Sequence, residues 1–178
     1  MRRSRAIRTR PRNGIAITEV LSTVLASELI QPSREIWLVS GWVSDIVVIR
    51  NEMGAFDDIL VDSGGGALTL SDVLARLSRL GARINVAVRD DKHNEQFLEV
   101  LRRRCAPGNF RIYKSPDLHE KILTGDNWLL KGSMNFTWNG LNVHEESMEF
   151  IADAAEAAKH RLELSVRWEG TTHEVFRH

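Results

Sequence analysis

Disulfides are the first thing the chain cannot have. Its 178 residues include one cysteine, Cys105, so no intrachain bridge forms, which suits a reducing, cytoplasmic setting. Cys105 falls near the end of an expected helix and reads as a packing residue. No stretch reaches the ~18 consecutive apolar residues of a membrane span, and the N-terminus lacks the apolar core of a signal peptide. No membrane anchor is expected. HExxH and paired Cys/His spacings are both missing, so no motif asks for a metal. The loop Asp62-Ser63-Gly64-Gly65-Gly66 lacks the lysine-serine ending of a nucleotide-phosphate cradle and reads as a connection. Repeats and low-complexity tracts are absent as well. What is there is a chain of ordinary globular composition, 43% apolar and 27% charged, large enough to bury one core.

Net charge is missing too, but only on average. Lys+Arg and Asp+Glu number 24 each, yet Arg2, Arg3, Arg5, Arg8, Arg10 and Arg12 crowd into residues 1–13 with no acid among them. The remainder carries 18 basic against 24 acidic residues. Residues 1–13 are therefore expected as a basic flexible arm and residues 14–178 as a single domain. The arm is either a solvated tail or a nucleic-acid arm, whose arginines would neutralise phosphates and release counterions.

Hydrophobic spacing gives the order of elements. Val20, Leu21, Val24, Leu25 and Leu29 recur at helical spacing over residues 18–30, and Gln31-Pro32 ends the run. Residues 35–40 form a strand of the buried type. Residues 41–45 follow its carboxyl end, where α/β sheets place ligands; Trp42 there is a substrate contact or a packing residue. Residues 43–60 read as a helix or as two short extended pieces. Ser71 is expected to cap a helix with Val73, Leu74, Leu77 and Leu80 on one stripe, closed by Gly81. Strands over residues 84–88 and 110–113 flank a helix over residues 94–104, where Arg102, Arg103 and Arg104 suit the negative end of the helix dipole. A last strand covers residues 147–151 and a last helix residues 153–168. This alternation predicts an α/β class, a mixed β-sheet flanked by helices on both faces.

The most informative stretch runs from His119-Glu120-Lys121 through Thr124-Gly125-Asp126-Asn127 to Gly132-Ser133-Met134-Asn135. His119 and Lys121 are two apart, which on a strand puts both side chains on one face. Residues 124–127 signal a turn, because glycine, asparagine and aspartate tolerate positive φ. Trp128-Leu129-Leu130 is the return strand, and Ser133 and Asn135 stand two apart beyond it. One hairpin thus gathers an imidazole, an ammonium, a hydroxyl and an amide. That set suits a phosphodiester: the ammonium neutralises a non-bridging oxygen, the hydroxyl and amide donate, and the imidazole attacks or transfers protons. A metal is the rival use of His119, His144, Glu145 and Glu146, but the Lys121 ammonium would repel a cation.

These residues resemble the phospholipase D superfamily, whose signature is H-x-K-x4-D followed by G-S-x-N, and within it the single-motif, endonuclease-like branch. Six fixed residues would coincide by accident in on the order of one chain in 10^5 to 10^6, which makes the match specific. It covers residues 118–150 in detail. One spacing departs: five residues, not six, separate Asp126 from Gly132, as in a hairpin shortened by one. The resemblance implies a phospholipase D-like α/β fold with one motif per chain, and metal-independent phosphodiester cleavage with no cofactor. It implies that His119 attacks phosphorus to give a phosphohistidine, and that Lys121, Ser133 and Asn135 bind phosphoryl oxygens. Asp126 and Gly132 would be structural, Asp126 fixing the turn. An acid about ten residues after the G-S-x-N segment would orient the histidine; aligning the strand end Phe150-Ile151 gives Glu146, with Glu145 as the alternative.

The implied mechanism takes two histidines, and no second His-x-Lys exists: His93, His144, His160 and His173 all lack the lysine. A C2 homodimer sharing one active site is therefore expected. Phe136-Thr137-Trp138 would line its interface, or Trp138 would close the core. The substrate stays open at this level. A nuclease acting on DNA or on RNA, within a bacterial antiviral defence or DNA-processing assembly, leads. A phospholipase or phosphatidyltransferase acting on lipid and a non-catalytic nucleic-acid-binding subunit are the alternatives.

Overall fold

In the computed structural model, which describes residues 3–9, 16–51, 54 and 66–169, the chain runs β1 (Arg3–Arg8), α1 (Ile17–Ile30), β2 (Glu35–Ser40), β3 (Val47–Ile49), β4 (Leu68–Thr69), α2 (Leu70–Arg79), β5 (Arg83–Arg89), α3 (Lys92–Arg104), β6 (Phe110–Ser115), β7 (Lys121–Thr124), β8 (Leu129–Gly132), α4 (Trp138–Asn142), β9 (Ser147–Ala152) and α5 (Ala154–Glu169). Seven strands make one mixed sheet in the order β1-β9-β8-β7-β2-β5-β6, and β3 pairs with β4 beside it. β2, β5 and β6 are parallel to one another. β7, β8, β9 and β1 continue the sheet as an antiparallel ladder.

The middle of the sheet is β2, buried from Ile36 to Ser40. A strand covered on both faces must be apolar almost throughout. Ile36 and Leu38 point into a core shared with α1, α2 and α3, whereas Trp37 and Val39 join a second core under α5. The two-residue period of a strand therefore feeds two layers from one segment. The first core takes Leu21 and Leu25 of α1, Val73, Leu74 and Leu77 of α2, and Phe97, Leu98 and Leu101 of α3. The second is aromatic: Trp37 stacks on Tyr113 with ring centroids 5.4 Å apart, and Tyr113 meets Trp168 of α5 at 6.0 Å. The α/β class with helices on both faces is what the residue pattern predicts.

Strand register collects one end of the sheet. Ser40 lies opposite Lys121, Gly132 opposite Met148, and Ser147 opposite Arg8. Arg89 closes β5 beside Ser115 of β6. The carboxyl ends of the parallel strands thus share an edge with the motif residues, which is where ligands bind in such sheets.

Several expectations need correction. Residues 3–8 of the basic arm are not free: they form β1, antiparallel to β9 with Ile7 opposite Met148. Without β1 the backbone of β9 would be an open sheet edge, and Ile7, 2% exposed, anchors β1 in the first core. Arg5 and Arg8 stay exposed; Arg2, Arg10 and Arg12 lie outside the described residues. Ser71 does not cap α2. Thr69 does, in a reciprocal box in which Asp72 N–H donates to Thr69 Oγ1 at 3.3 Å and Thr69 N–H donates to Asp72 Oδ2 at 3.0 Å. Ser71 is taken by Asp45, to which its hydroxyl donates at 2.8 Å. Of residues 43–60, the described part is extended, as β3, and most of the glycine-rich loop lies outside the described residues. Cys105 closes α3 as a half-buried thiol that burial pushes up to about 11, a packing group in its chemistry. Among the described residues no helix is long and apolar enough to cross a membrane.

Candidate active site

Lys121 opens β7, and His119 stands two residues ahead of the strand. The Lys121 ammonium lies 3.2 Å from His119 Nδ1 and also donates to the His119 carbonyl. Imidazole and ammonium therefore meet directly, as the spacing predicts, although only the lysine is in the strand. When the ammonium donates to it, Nδ1 is the acceptor, and a neutral ring then carries its proton on Nε2. His119 is exposed, whereas Lys121 is 5% exposed. Burial is the main cause holding the Lys121 pKa below the ordinary lysine value; Glu146 opposes it by attraction and Arg89 adds to it by repulsion. A cation kept short of compensation at an open imidazole is prepared to receive an anion.

Gly132 ends β8 and Ser133 follows it. A Cβ on Gly132 would sit 2.3 Å from the Ser147 carbonyl oxygen and 2.8 Å from Met148 Cα, so only glycine lets β8 and β9 close here. Ser133 N–H then donates to the Ser147 carbonyl at 3.0 Å, and the Ser133 hydroxyl donates to Glu146 Oε2. The resemblance implies that Glu146, or else Glu145, orients His119; in the structure the Glu146 carboxylate accepts from Ser133. The reason is register: the β8–β9 pairing runs on to set Ser133 against Ser147, which brings the adjacent Glu146 to the Ser133 hydroxyl, and His119 is a strand further on. Glu145 is exposed. His144 Nδ1 lies 3.9 Å from Glu146 Oε1. Among the described residues no three His, Cys, Asp or Glu side chains converge as a metal cluster would.

Asn135 turns its amide inward. Its Oδ1 accepts from Trp42 N–H at 3.3 Å and from the Ser40 hydroxyl at 3.4 Å. The carbonyl end is thereby fixed, and Nδ2 is left as a donor toward the cavity that Asn135 shares with Trp42, His93, Trp138, His144 and Glu146. Asp126 is at the far end of the hairpin, where it accepts from Arg34 N–H at 3.0 Å and pairs with Arg161 at 3.5 Å. Lys121 thus meets His119 directly, Glu146 binds Ser133 and attracts Lys121, and Asn135 lines the same cavity as Glu146; Asp126 stands apart from them.

Three residues beyond the motif build the frame. Arg89 donates through Nε and Nη2 to the Leu118 carbonyl at 3.2 and 3.1 Å, which fixes the backbone just before His119. Its guanidinium also covers the Trp42 ring at 4.4 Å, so Trp42 is held by a cation–π contact at the cavity wall. Asn94 is fully buried and ties three segments: it accepts from Val43 N–H at 2.8 Å and donates to the Gly41 and Arg89 carbonyls at 3.0 and 2.8 Å. Position at the end of a strand was the sole sequence signal for Arg89; for Asn94 there was none. Phe136 is wholly buried, whereas Trp138 is 62% exposed and does not close the core.

Comparison with known proteins agrees with this geometry. A family model described as cardiolipin synthase, phospholipase D-like domain, matches residues 67–168, more than half of the chain and the entire hairpin. Nuc from Salmonella typhimurium, a phospholipase D family member, has a similar structure, with a TM-score of 0.61 over 100% of both chains at 13% identity. NucT from Helicobacter pylori gives 0.61 over 93% of this chain and 95% of its own at 12% identity. Phosphatidylserine synthase from Haemophilus influenzae Rd KW20 gives 0.54 over 99% of this chain and 40% of its own at 12% identity. No curated protein matches the sequence. At such identities the solved structures speak to the fold, and the family model speaks to kinship. A chain with this sheet, this hairpin and this match belongs to the phospholipase D-like domain family, within the phospholipase D superfamily.

Proposed function

We propose that the protein is a phosphodiesterase that cleaves nucleic acid, DNA before RNA, through a phosphohistidine on His119, without metal or cofactor. The observation that carries this reading is the buried Lys121 ammonium set against the exposed imidazole of His119. An arriving phosphodiester draws the ammonium to a non-bridging oxygen and releases Nδ1, so the ring proton can settle there and leave Nε2 as the nucleophile. Asn135 Nδ2 supplies a further donor to the phosphoryl oxygens, and the Ser133 hydroxyl supplies another by turning away from Glu146 Oε2. Glu146 holds the Ser133 hydroxyl before substrate arrives and attracts Lys121. Nε2 attacks phosphorus, the P–O bond to the leaving group breaks, and the departing alkoxide takes a proton from a second imidazole. Water then attacks phosphorus, gives its proton to that imidazole, and the P–N bond breaks. The second imidazole is His119 of another copy in a C2 homodimer sharing one active site. A role in a defence or DNA-processing assembly fits a basic strand, β1, that ends at the site.

Labelled single- and double-stranded DNA incubated with excess chelator tests the reading. Wild type cleaves and His119→Ala does not. Cleavage that stops in chelator and returns with magnesium would count against the mechanism, and a strictly monomeric active protein against the shared site. A lipid substrate has one observation in its favour: Trp138, Val143 and Val47 are exposed apolar side chains, and His144, which follows Val143, lines the cavity of Asn135. Turnover of phospholipid vesicles with inert DNA would select it.

A further inference from the structure

We infer that Trp138 is a stacking platform for an unpaired nucleobase beside the scissile phosphate, so that the substrate is a single strand. The inference rests on the nucleic-acid reading above and adds a residue and a strand preference to it. Trp138 opens α4, directly after the Gly-Ser-Met-Asn segment. Its backbone is tied to Asn135: Thr137 N–H donates to the Asn135 carbonyl at 2.8 Å, Thr137 Oγ1 caps α4 by accepting from Gly140 N–H at 3.1 Å, and a Cβ on Gly140 would lie 2.2 Å from the Asn135 carbonyl oxygen. The short helix is thus pressed onto the residue that donates to phosphate. A five-residue helix is no binding site in itself; here it serves as a rigid mount for one side chain.

The indole it mounts is 62% exposed and makes no hydrogen bond or ring contact among the described residues. Trp42, across the same cavity, differs: Arg89 covers one face of its ring, and Asn135 accepts from its backbone N–H. One tryptophan is locked and the other offers an open face. Leaving so large an apolar ring in water is unfavourable unless something covers it. The polar groups that line this cavity with it are Ser44, His93, Asn135, Thr137, Asn139, His144 and Glu146, donors and acceptors suited to base edges rather than to acyl chains. A base can give its face to an indole only when its neighbours do not already cover that face, which selects single strands.

The test uses the full chain carrying His119→Ala, so that nothing is cleaved. Anisotropy measures binding of a labelled single-stranded oligodeoxynucleotide, of the matching duplex, and of a strand of equal length built from abasic tetrahydrofuran residues. Stacking one base is expected to give the base-bearing strand about a ten- to hundred-fold advantage over the abasic strand. Adding Trp138→Ala should bring the two strands within about three-fold, Trp138→Phe should keep most of the advantage, and the duplex should bind less tightly than the single strand. An advantage that survives Trp138→Ala overturns the stacking role and leaves the nuclease reading intact. Failure to bind any strand overturns both. Conversion of dimer to monomer by Trp138→Ala in sedimentation assigns the ring to a second copy of the chain, and loss of vesicle binding assigns it to a membrane; either result overturns the inference.

Discussion

The two ends of the β7–β8 hairpin come from one motif and are built in opposite ways. At the turn, the charged groups are answered. Asp126 accepts from Arg34 and pairs with Arg161, its own N–H donates to the Ser33 hydroxyl at 2.7 Å, and Arg161 donates to the Gly125 carbonyl. Beside it the buried carboxylate of Glu28 accepts from Ser33 N–H at 2.7 Å, from the Ser33 hydroxyl at 2.8 Å and from Trp128 Nε1 at 2.6 Å. At the other end a buried ammonium leans on an exposed imidazole, and the nearest carboxylate is shared with a serine. One end is closed on itself and holds the fold; the other is open and underpaired, as a site for an anion must be. Strand pairing joins the two ends: the ladder Ile122↔Lys131 keeps Lys121 level with Gly132.

Substitutions at the two ends should therefore separate activity from stability. His119→Ala should lower single-turnover cleavage by on the order of 10^4-fold or more, as loss of a covalent nucleophile does. Because the ring is exposed, its urea midpoint should hardly move. Ser133→Ala should cost about 10^2-fold in kcat, the scale of one donor to a phosphoryl oxygen. Asp126→Ala should reverse the pattern, leaving kcat within a few-fold and lowering stability by about 1–3 kcal/mol in urea unfolding. Most of that belongs to the backbone bond and to Arg161, which is 11% exposed, since Arg34 is 90% exposed and its ion pair is worth little. A kcat loss for Asp126→Ala equal to that of Ser133→Ala would break the contrast between the ends.

Alkaline pH sharpens it further. Activity that needs charged Lys121 should fall at a pH below the ordinary lysine value of 10.5. Glu146→Gln removes the attraction that raises the lysine's proton affinity, so the limb should move to lower pH still; Lys121→Arg should abolish it within the measurable range. The stability effect has the opposite slope. Between the lowered folded pKa and 10.5 the unfolded chain binds the proton more tightly, so this residue's contribution makes stability rise with pH across that window. Melting curves of wild type and Lys121→Met against pH report the difference.

The hairpin was legible because its information is local. His119, Lys121, Ser133 and Asn135 lie within seventeen positions of one another, and strand periodicity with turn chemistry is enough to bring them together. The layers were legible for the same reason, since β2, α1, α3 and α5 announce themselves by apolar spacing. What stayed hidden depends on distant pairing. β1 reads as a charged tail until β9 offers an edge some 140 residues away. Glu146 reads as a partner of His119 until the β8–β9 register hands it to Ser133. Arg89 and Asn94 come from single positions on β5 and α3 that carry no motif, and α4 is too short to show a helical period.

The most direct test of the account is capture of the intermediate on the open end of the hairpin. An oligonucleotide labelled on the fragment expected to stay bound is mixed with excess enzyme and quenched in alkali, where a phosphoramidate survives. The expected result is a covalent protein–nucleotide adduct that resists alkali, is released by acid, maps to His119 by mass spectrometry and is absent from His119→Ala. Rapid cleavage with no such adduct, or an adduct on another residue, would contradict it.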